Sequence, residues 1–342
     1  MDGNRQAREP SPNFPVLGVS VWHNEIMNDT NDTAVSVRHL VKRYGDMLAL
    51  DGFDLQVRRG EIFGLLGPNG SGKTTAISCI LGLLDFEAGD IRVLGEHMTP
   101  SAYELRRRIG IVPQEVAVFD ELSVEENIDY FCSLYVKDRK RRKQLGDEAI
   151  GFVGLTEFRR YRPKKLSGGL LRRLNIACGI AHRPELIFFD EPTVAVDPQS
   201  RNAILEGIKR LNREGATVVY TSHYMEEVEL ICDRILIMDH GRHLALGTAD
   251  ELKAQIATGE RITIEATGLG GSVPAGIRNL PFVLEVKASG DTLDIRCKHG
   301  EHNLVDVLDV LRRGNIRPGR VTSQPPTLND VFLELTGTAL RD

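Results

Sequence analysis

From Ala34 onward the chain alternates short apolar runs with amphipathic stretches. Val35, Val37 and Leu40-Val41 open a strand-like pattern, and residues 48–57 alternate apolar and polar in their later half. Ile62 to Leu66 is an unbroken apolar run between Gly60 and Gly67, the pattern of a buried strand. Residues 74–84 then follow a helical pattern. Ser123-Val124-Glu125-Glu126 opens a second helical stretch with a capping box, and the region from about 117 to 170 is mostly helical. Ile187-Phe188-Phe189, Val218-Val219-Tyr220 and Ile235-Leu236-Ile237 are further short apolar runs. Strands alternating with helices predict an α/β core around a largely parallel sheet.

After about Lys253 the pattern changes. Residues 261–266, 282–288 and 292–297 are predicted strands. Residues 303–313 form an amphipathic helix with Leu304, Val307, Leu308 and Leu311 on one face, Asn303 as its cap and Gly314 as its stop. Residues 329–335 are a shorter helix with apolar side chains to offer a partner. This part is expected to be a small α+β domain of ferredoxin-like type with a separate core. Residues 1–33, rich in Asn, Asp and Pro, show no sustained period and are expected to be a disordered tail, with Met27 an alternative start. The expected division is therefore 1–33, 34–253 and 254–342.

Composition changes this picture little. With 41% hydrophobic and 27% charged residues, the 342-residue chain has material for ordinary globular cores. A net charge of −5 gives no sign of a nucleic-acid partner. Cys79, Cys132, Cys178, Cys232 and Cys297 are scattered, with neither a disulfide framework nor zinc spacing, which suits reduced thiols in a cytoplasm. No apolar run approaches the roughly 18–20 residues that a spanning helix needs. The apolar patch at residues 14–22 is interrupted by Pro15, Gly18 and Ser20 and is read as neither signal peptide nor anchor. The basic run at residues 137–143 reads as a solvated helix face.

The chemistry concentrates in two segments. Gly67-Pro68-Asn69-Gly70-Ser71-Gly72-Lys73-Thr74 matches the phosphate-loop pattern in full and lies between a predicted strand and a predicted helix. Its N–H groups and the helix N-terminus suit phosphate, Lys73 can reach the β- and γ-phosphates, Thr74 can ligate Mg2+, and Thr75 is a further phosphate contact. Downstream, Leu186 to Phe189 is a hydrophobic strand that ends in Asp190-Glu191. A carboxylate at such a strand end suits the metal, so Asp190 is assigned to Mg2+ and Glu191 to the attacking water.

Leu166-Ser167-Gly168-Gly169, which lies 24 residues before Asp190, resembles the signature of ATP-binding-cassette (ABC) proteins. That resemblance covers about residues 34–250. It implies an α/β phosphate-loop cassette with a helical subdomain, and it implies roles for further residues. Tyr44 would stack on adenine. Gln114 would link the core to the helical insertion and assist at the metal. Asp197 would occupy the D-loop. His223, in Thr221-Ser222-His223, would be the switch histidine. Ser167, Gly168 and Gly169 precede a helix and would bind the γ-phosphate held by a second copy of the chain, so two copies would close around two ATP. The sequence departs from the usual pattern at Leu170-Leu171, where Gln or Met is common in the fifth signature position, and at Ala195, where the D-loop usually has Gly.

The switch region from Thr221 to Glu229 and the tail from Thr327 to Gly337 are similar to those of the type-2 export branch, which includes linearmycin-type and daunorubicin-type resistance exporters. The resemblance implies an ATP hydrolase peripheral to the cytoplasmic face of the membrane, driving export through a separate polytopic permease. Cargo need not touch such a motor, so drug, lipid, polysaccharide and sodium all stay open, with drug or lipid favoured by resemblance alone. The competing class is a soluble ABC ATPase acting on ribosomes or DNA. Translation-factor members carry two cassettes in one chain, whereas this chain has one motif set. DNA-maintenance members carry a long coiled coil, whereas Asp190 follows Lys73 by only 117 positions with no sustained heptad.

Overall fold

A computed structural model of the chain describes residues 32–269, 273–300 and 302–337. The expected tail, except for Asp32 and Thr33, lies outside the described residues, as does Met27. Along the chain come β1 (Thr33–Tyr44), β2 (Met47–Arg58), β3 (Ile62–Leu66), α1 (Lys73–Ile80), β4 (Ala88–Val93), β5 (Glu96–His97), α2 (Tyr103–Arg106) and β6 (Ile109–Val112). A helical stretch follows, with α3 (Val124–Ser133), α4 (Arg139–Phe152) and α5 (Gly168–Ile180). Then come β7 (Leu186–Asp190), α6 (Pro198–Arg213), β8 (Thr217–Ser222), α7 (Met225–Ile231), β9 (Arg234–Asp239), β10 (Arg242–Gly247) and α8 (Ala249–Ala254).

The central sheet has the order β10-β9-β3-β8-β7-β6, and every neighbouring pair is parallel except β9 with β10. Strands β3, β7 and β8 are buried at every position, which is why they read as unbroken apolar runs. On one face α5, α6, α7 and α8 lay Ile176, Ile204, Val228 and Leu252 over the sheet. The other face is covered by α1 and by a second, antiparallel sheet of order β2-β1-β4-β5. Sequence periodicity gave no sign of that second sheet as a separate layer, because β1 shifts register between Val37 and Leu40 and again before Lys42.

Helix α3 begins with the expected capping box: Ser123 Oγ accepts from Glu126 N, and the Glu126 carboxylate accepts from Ser123 N. Helices α3, α4 and α5 share a core of Val124, Ile128, Leu145, Ile150, Leu174 and Ala177. Helix α5 belongs to two cores, since its Ile176 and Ile180 pack on the sheet. The helical insertion therefore runs into a shared helix instead of ending near residue 170. The basic run sits at the start of α4, where Arg142 pairs with Asp129 and Lys143 with Asp147.

The C-terminal part contains β11 (Glu260–Glu265), α9 (Val273–Arg278), β12 (Val283–Ser289), β13 (Thr292–Cys297), α10 (Asn303–Arg313), β14 (Val321–Gln324) and α11 (Leu328–Thr336). Its first six elements follow a βαββαβ order, and its antiparallel sheet runs β12-β13-β11-β14, which is the ferredoxin-like arrangement. Ile262, Ile264, Leu293, Ile295, Val307 and Leu311 form its core. Asn303 does not cap α10. It is the first helical residue, and its Nδ2 donates back to Lys298 O at 2.7 Å. The left-handed residue past the end of α10 is Asn315, with φ 56°, while Gly314 stays right-handed.

The last helix corrects a larger expectation. Leu328, Val331 and Phe332 of α11 are at most 1% exposed, and they join the core that holds Val228, Ile231, Leu252 and Ile256. Glu334 also accepts from Ala257 N at 2.7 Å. The apolar face expected to meet a partner thus covers the nucleotide-binding body of its own chain. The ferredoxin-like unit is anchored at both ends, by α8 before it and α11 after it.

Candidate active site

The carboxyl ends of β3, β6, β7 and β8 lie along one edge of the parallel sheet, the place where open α/β sheets bind ligands. The loop after β3 carries Gly67 to Gly72. A Cβ on Gly67 would lie 2.4 Å from Met238 O, and one on Gly72 would lie 2.8 Å from Ala49 O. These glycines are thus required by the protein's own backbone as much as by any phosphate. Gly70 meets nothing but has φ 81°. Asn69 is exposed in this loop. Ser71 is buried, and its Oγ has no hydrogen-bond partner, which leaves it free for a ligand oxygen.

Strand β8 lies between β3 and β7, so Asp190 is one strand removed from the phosphate loop. Two hydroxyls bridge the gap. Thr74 Oγ1 donates to Asp190 Oδ2 at 3.0 Å, and Thr221 Oγ1 donates to Oδ1 at 2.7 Å. Thr75 follows Thr74 in the first turn of α1. Lys73 is buried, and its ammonium donates to Gly67 O at 2.8 Å and Pro68 O at 3.2 Å. Burial holds its pKa below the ordinary lysine value, against the opposing pull of Glu191 and Asp190.

Glu191 is the meeting point of the site. Its Oε1 is 3.3 Å from Lys73 Nζ, its Oε2 accepts from Gln114 Nε2 at 3.3 Å, and His223 Nδ1 lies 3.2 Å from the same Oε2. Its backbone is left-handed, with φ 45°, and its N–H donates to Thr221 Oγ1 at 2.9 Å. A non-glycine residue held in this region by surrounding contacts is common at reactive sites.

The remaining predicted residues stand apart from this cluster. Ser167 caps α5 by accepting from Leu170 N at 3.4 Å. Gly168 is exposed, and Gly169 is pressed against Ser200 and Asp197, where a Cβ would meet Ser200 Oγ at 2.4 Å. Asp197 caps α6 through Ser200 N at 2.9 Å. Tyr44 is 46% exposed at the β1–β2 hairpin with the Lys42 ammonium over its ring, and the same hairpin touches the loop at Ala49. The unusual Leu170 is half-buried against the helical core, so an apolar residue there adds packing.

The profile of the ABC transporter family matches residues 50–194, and that of the DrrA1-3-like ATP-binding protein C-terminal domain matches residues 247–336. The linearmycin resistance ATP-binding protein LnrL of Bacillus subtilis is 39% identical over 310 residues, which cover 90% of this chain and all of that protein. The chain belongs to the ATP-binding subunits of ABC transporters. The daunorubicin resistance ATP-binding protein DrrA3 of Streptomyces coeruleorubidus is 38% identical, over 90% of this chain and 96% of that one. Among solved structures, the dimeric cassette MJ0796 bound to ADP and Pi superposes with TM-score 0.58 at 26% identity, covering 63% of this chain and 98% of that one. CbiO1 of Clostridium perfringens superposes with TM-score 0.61 at 28% identity, covering 66% and 92%.

As an ABC subunit the chain binds and hydrolyses ATP, and cassettes of this family pair and work with permeases. Nothing among these relatives favours action on ribosomes or DNA. Motif reading missed a residue that holds this ABC site together. Arg172 of α5 is 4% exposed, and its guanidinium donates to the carbonyls of Pro113, Gln114, Asp190, Glu191 and Pro192 at 2.7–3.3 Å. Asn175, one turn on, accepts from Ala117 N and donates to Pro113 O. Helix α5 thereby clamps the Gln114 loop and the Asp190–Glu191 turn together. The signal was present in sequence as two polar residues on the buried stripe of an amphipathic helix.

Proposed function

We propose that this subunit powers export of a drug or lipid through a separate permease, and that hydrolysis runs at the Lys73, Asp190, Glu191 and His223 cluster. The observation that carries the catalytic reading is the Glu191 carboxylate, with Lys73, Gln114 and His223 all within 3.3 Å. Loop N–H groups and Lys73 bind phosphate, and Thr75 adds a contact. Glu191 orients the attacking water and accepts its proton, while His223 holds the carboxylate on the far side. Mg2+ fits the oxygen pair Thr74 Oγ1 and Asp190, where it would neutralise phosphate charge, and Gln114, whose amide meets the Glu191 carboxylate at 3.3 Å, would assist it. Tyr44 receives adenine.

In a second copy, Ser167 with the N–H groups of Gly168 and Gly169 closes on the γ-phosphate, and Asp197 lies at that seam through its contact with Gly169. Export is supported by relatives named for linearmycin and daunorubicin resistance and for Nod factor export, the last 36% identical in Ralstonia nicotianae. No helix among the described residues is long and apolar enough to cross a membrane, which agrees with a path supplied by a separate permease. Phe119, Tyr130 and Phe131 form an aromatic cluster with centroids 4.8–5.9 Å apart beside the Gln114 loop, and Phe119 and Tyr130 are exposed. Such a patch suits a permease at the cytoplasmic membrane face. The test is fractionation of cells that make the chain with its permease. The native chain is expected in the membrane pellet, and the Phe119→Ala/Tyr130→Ala variant is expected in the supernatant with ATP affinity unchanged. Pelleting with ribosomes instead would overturn the reading.

A further inference from the structure

The site depends on the orientation of His223, and the groups that hold it converge on a buried carboxylate outside the phosphate cluster. Glu227, in the first turn of α7, is 4% exposed. Its Oε2 accepts from Tyr220 OH at 2.6 Å, Thr193 Oγ1 at 2.7 Å and Ser222 Oγ at 3.2 Å. Arg201 Nε lies 3.2 Å from Oε1 as an ion pair, although its angle falls outside hydrogen-bonding geometry. We infer that Glu227 is a positioning residue for ATP hydrolysis, fixing the imidazole of His223 through the residues on either side of it.

Two routes lead from Glu227 to His223. Ser222 Oγ, turned toward Glu227, accepts Tyr224 N at 2.9 Å, so one hydroxyl ties the backbone on both sides of the histidine. Arg201, held by Glu227, lies over the Tyr224 ring at 4.8 Å, and that ring packs on His223 at 4.1 Å. A buried charge with three donors and a cation has a defined geometry, because any tilt leaves a donor or the charge unpaired. The remaining partner, Thr193, is two residues past Glu191 and completes the set of donors on Oε2. In Glu227→Gln the amide nitrogen would face either Arg201 or the three hydroxyl donors, and the ion pair would be lost.

The inference rests on the assignment of Glu191 and His223 above. The test is a double-mutant cycle on the full chain, with steady-state Mg-ATP turnover and melting temperature measured for each protein. Glu227→Gln is expected to lower kcat about tenfold with KM within threefold, the pattern that marks loss of an interaction made only in the transition state. Added to His223→Ala, it is expected to lower kcat less than twofold further. Ser222→Ala, which leaves the buried charge paired, is expected to show the same non-additivity and keeps the test open should Glu227→Gln fail to fold. Fully additive effects, or a folded Glu227→Gln with native kcat, would overturn the inference while leaving the catalytic reading intact. If His223→Ala itself left turnover unchanged, the role of His223 would fall and this inference with it.

Discussion

At the scale of single residues, the site is built from side chains that sit where backbone and charge are costly. Ala195 is one such position: it is exposed, and its φ of 59° lies in the region that suits glycine. Ala195 is one of the positions where the sequence departs from the usual D-loop glycine. The structure adds that the left-handed conformation is kept without glycine, at a cost of about 1–2 kcal/mol. Ala195→Gly removes no packing, so urea unfolding should show a gain of about 1 kcal/mol, reduced by glycine's freedom in the unfolded chain. A loss of stability would show that the Ala195 methyl is held by something else. Lys73, Asp190, Glu191, His223 and Gln114 were legible because each belongs to a motif with fixed chemistry. Arg172 showed only as a polar position on the buried stripe of α5, without its partners, and Glu227 not at all, because its partners are hydroxyls and a guanidinium from separate segments that no spacing along the chain announces.

At the scale of elements, apolar runs that are buried on both faces were readable, and pairing order was not. Strands β3, β7 and β8 were visible as runs, but only the structure shows β8 between the other two, with Thr221 reaching Asp190. Contacts between elements also carry a pH dependence. His182 joins the helical part to the sheet: its ring stacks on Tyr135 at 4.1 Å, and its Nε2 is 3.1 Å from Ile109 O. Burial lowers its pKa to about 4 from 6.5. A histidine whose folded pKa is lowered resists protonation only when folded. Its stabilising effect is therefore complete above about pH 6.5 and is lost as pH falls toward 4, by up to about 3 kcal/mol. His182→Gln should flatten the fall in melting temperature between pH 6.5 and 4 relative to the native chain. Parallel curves for the two proteins would show that other groups govern that range.

At the scale of the whole molecule, the chain is a nucleotide-binding body and a ferredoxin-like unit closed by a returning helix. The amphipathic face of α11 was legible, but its target was not, since an apolar stripe does not say which surface it covers. Leu328, Val331 and Phe332 pack against α7, the helix that follows His223, and against α8. Phe332→Ala should therefore cost about 3–5 kcal/mol in urea unfolding of the nucleotide-binding body itself. A cut after Ala254 should lower melting temperature sharply instead of leaving that body intact. A cost below about 1 kcal/mol for Phe332→Ala, as expected of an exposed position, would contradict this packing.

The central claim is that ATP joins two copies of this chain and hydrolysis releases them. It is tested most directly by sedimentation of the full chain carrying Glu191→Gln, with Mg-ATP and without nucleotide. The acid at Glu191 is replaced by an amide that cannot take a proton from water, while Lys73 and the loop still bind phosphate. The account predicts a dimer with Mg-ATP, a monomer without it, and a monomer in both conditions once Lys73→Ala is added. A Glu191→Gln chain that binds ATP and stays monomeric, or that dimerises equally without nucleotide, would contradict it.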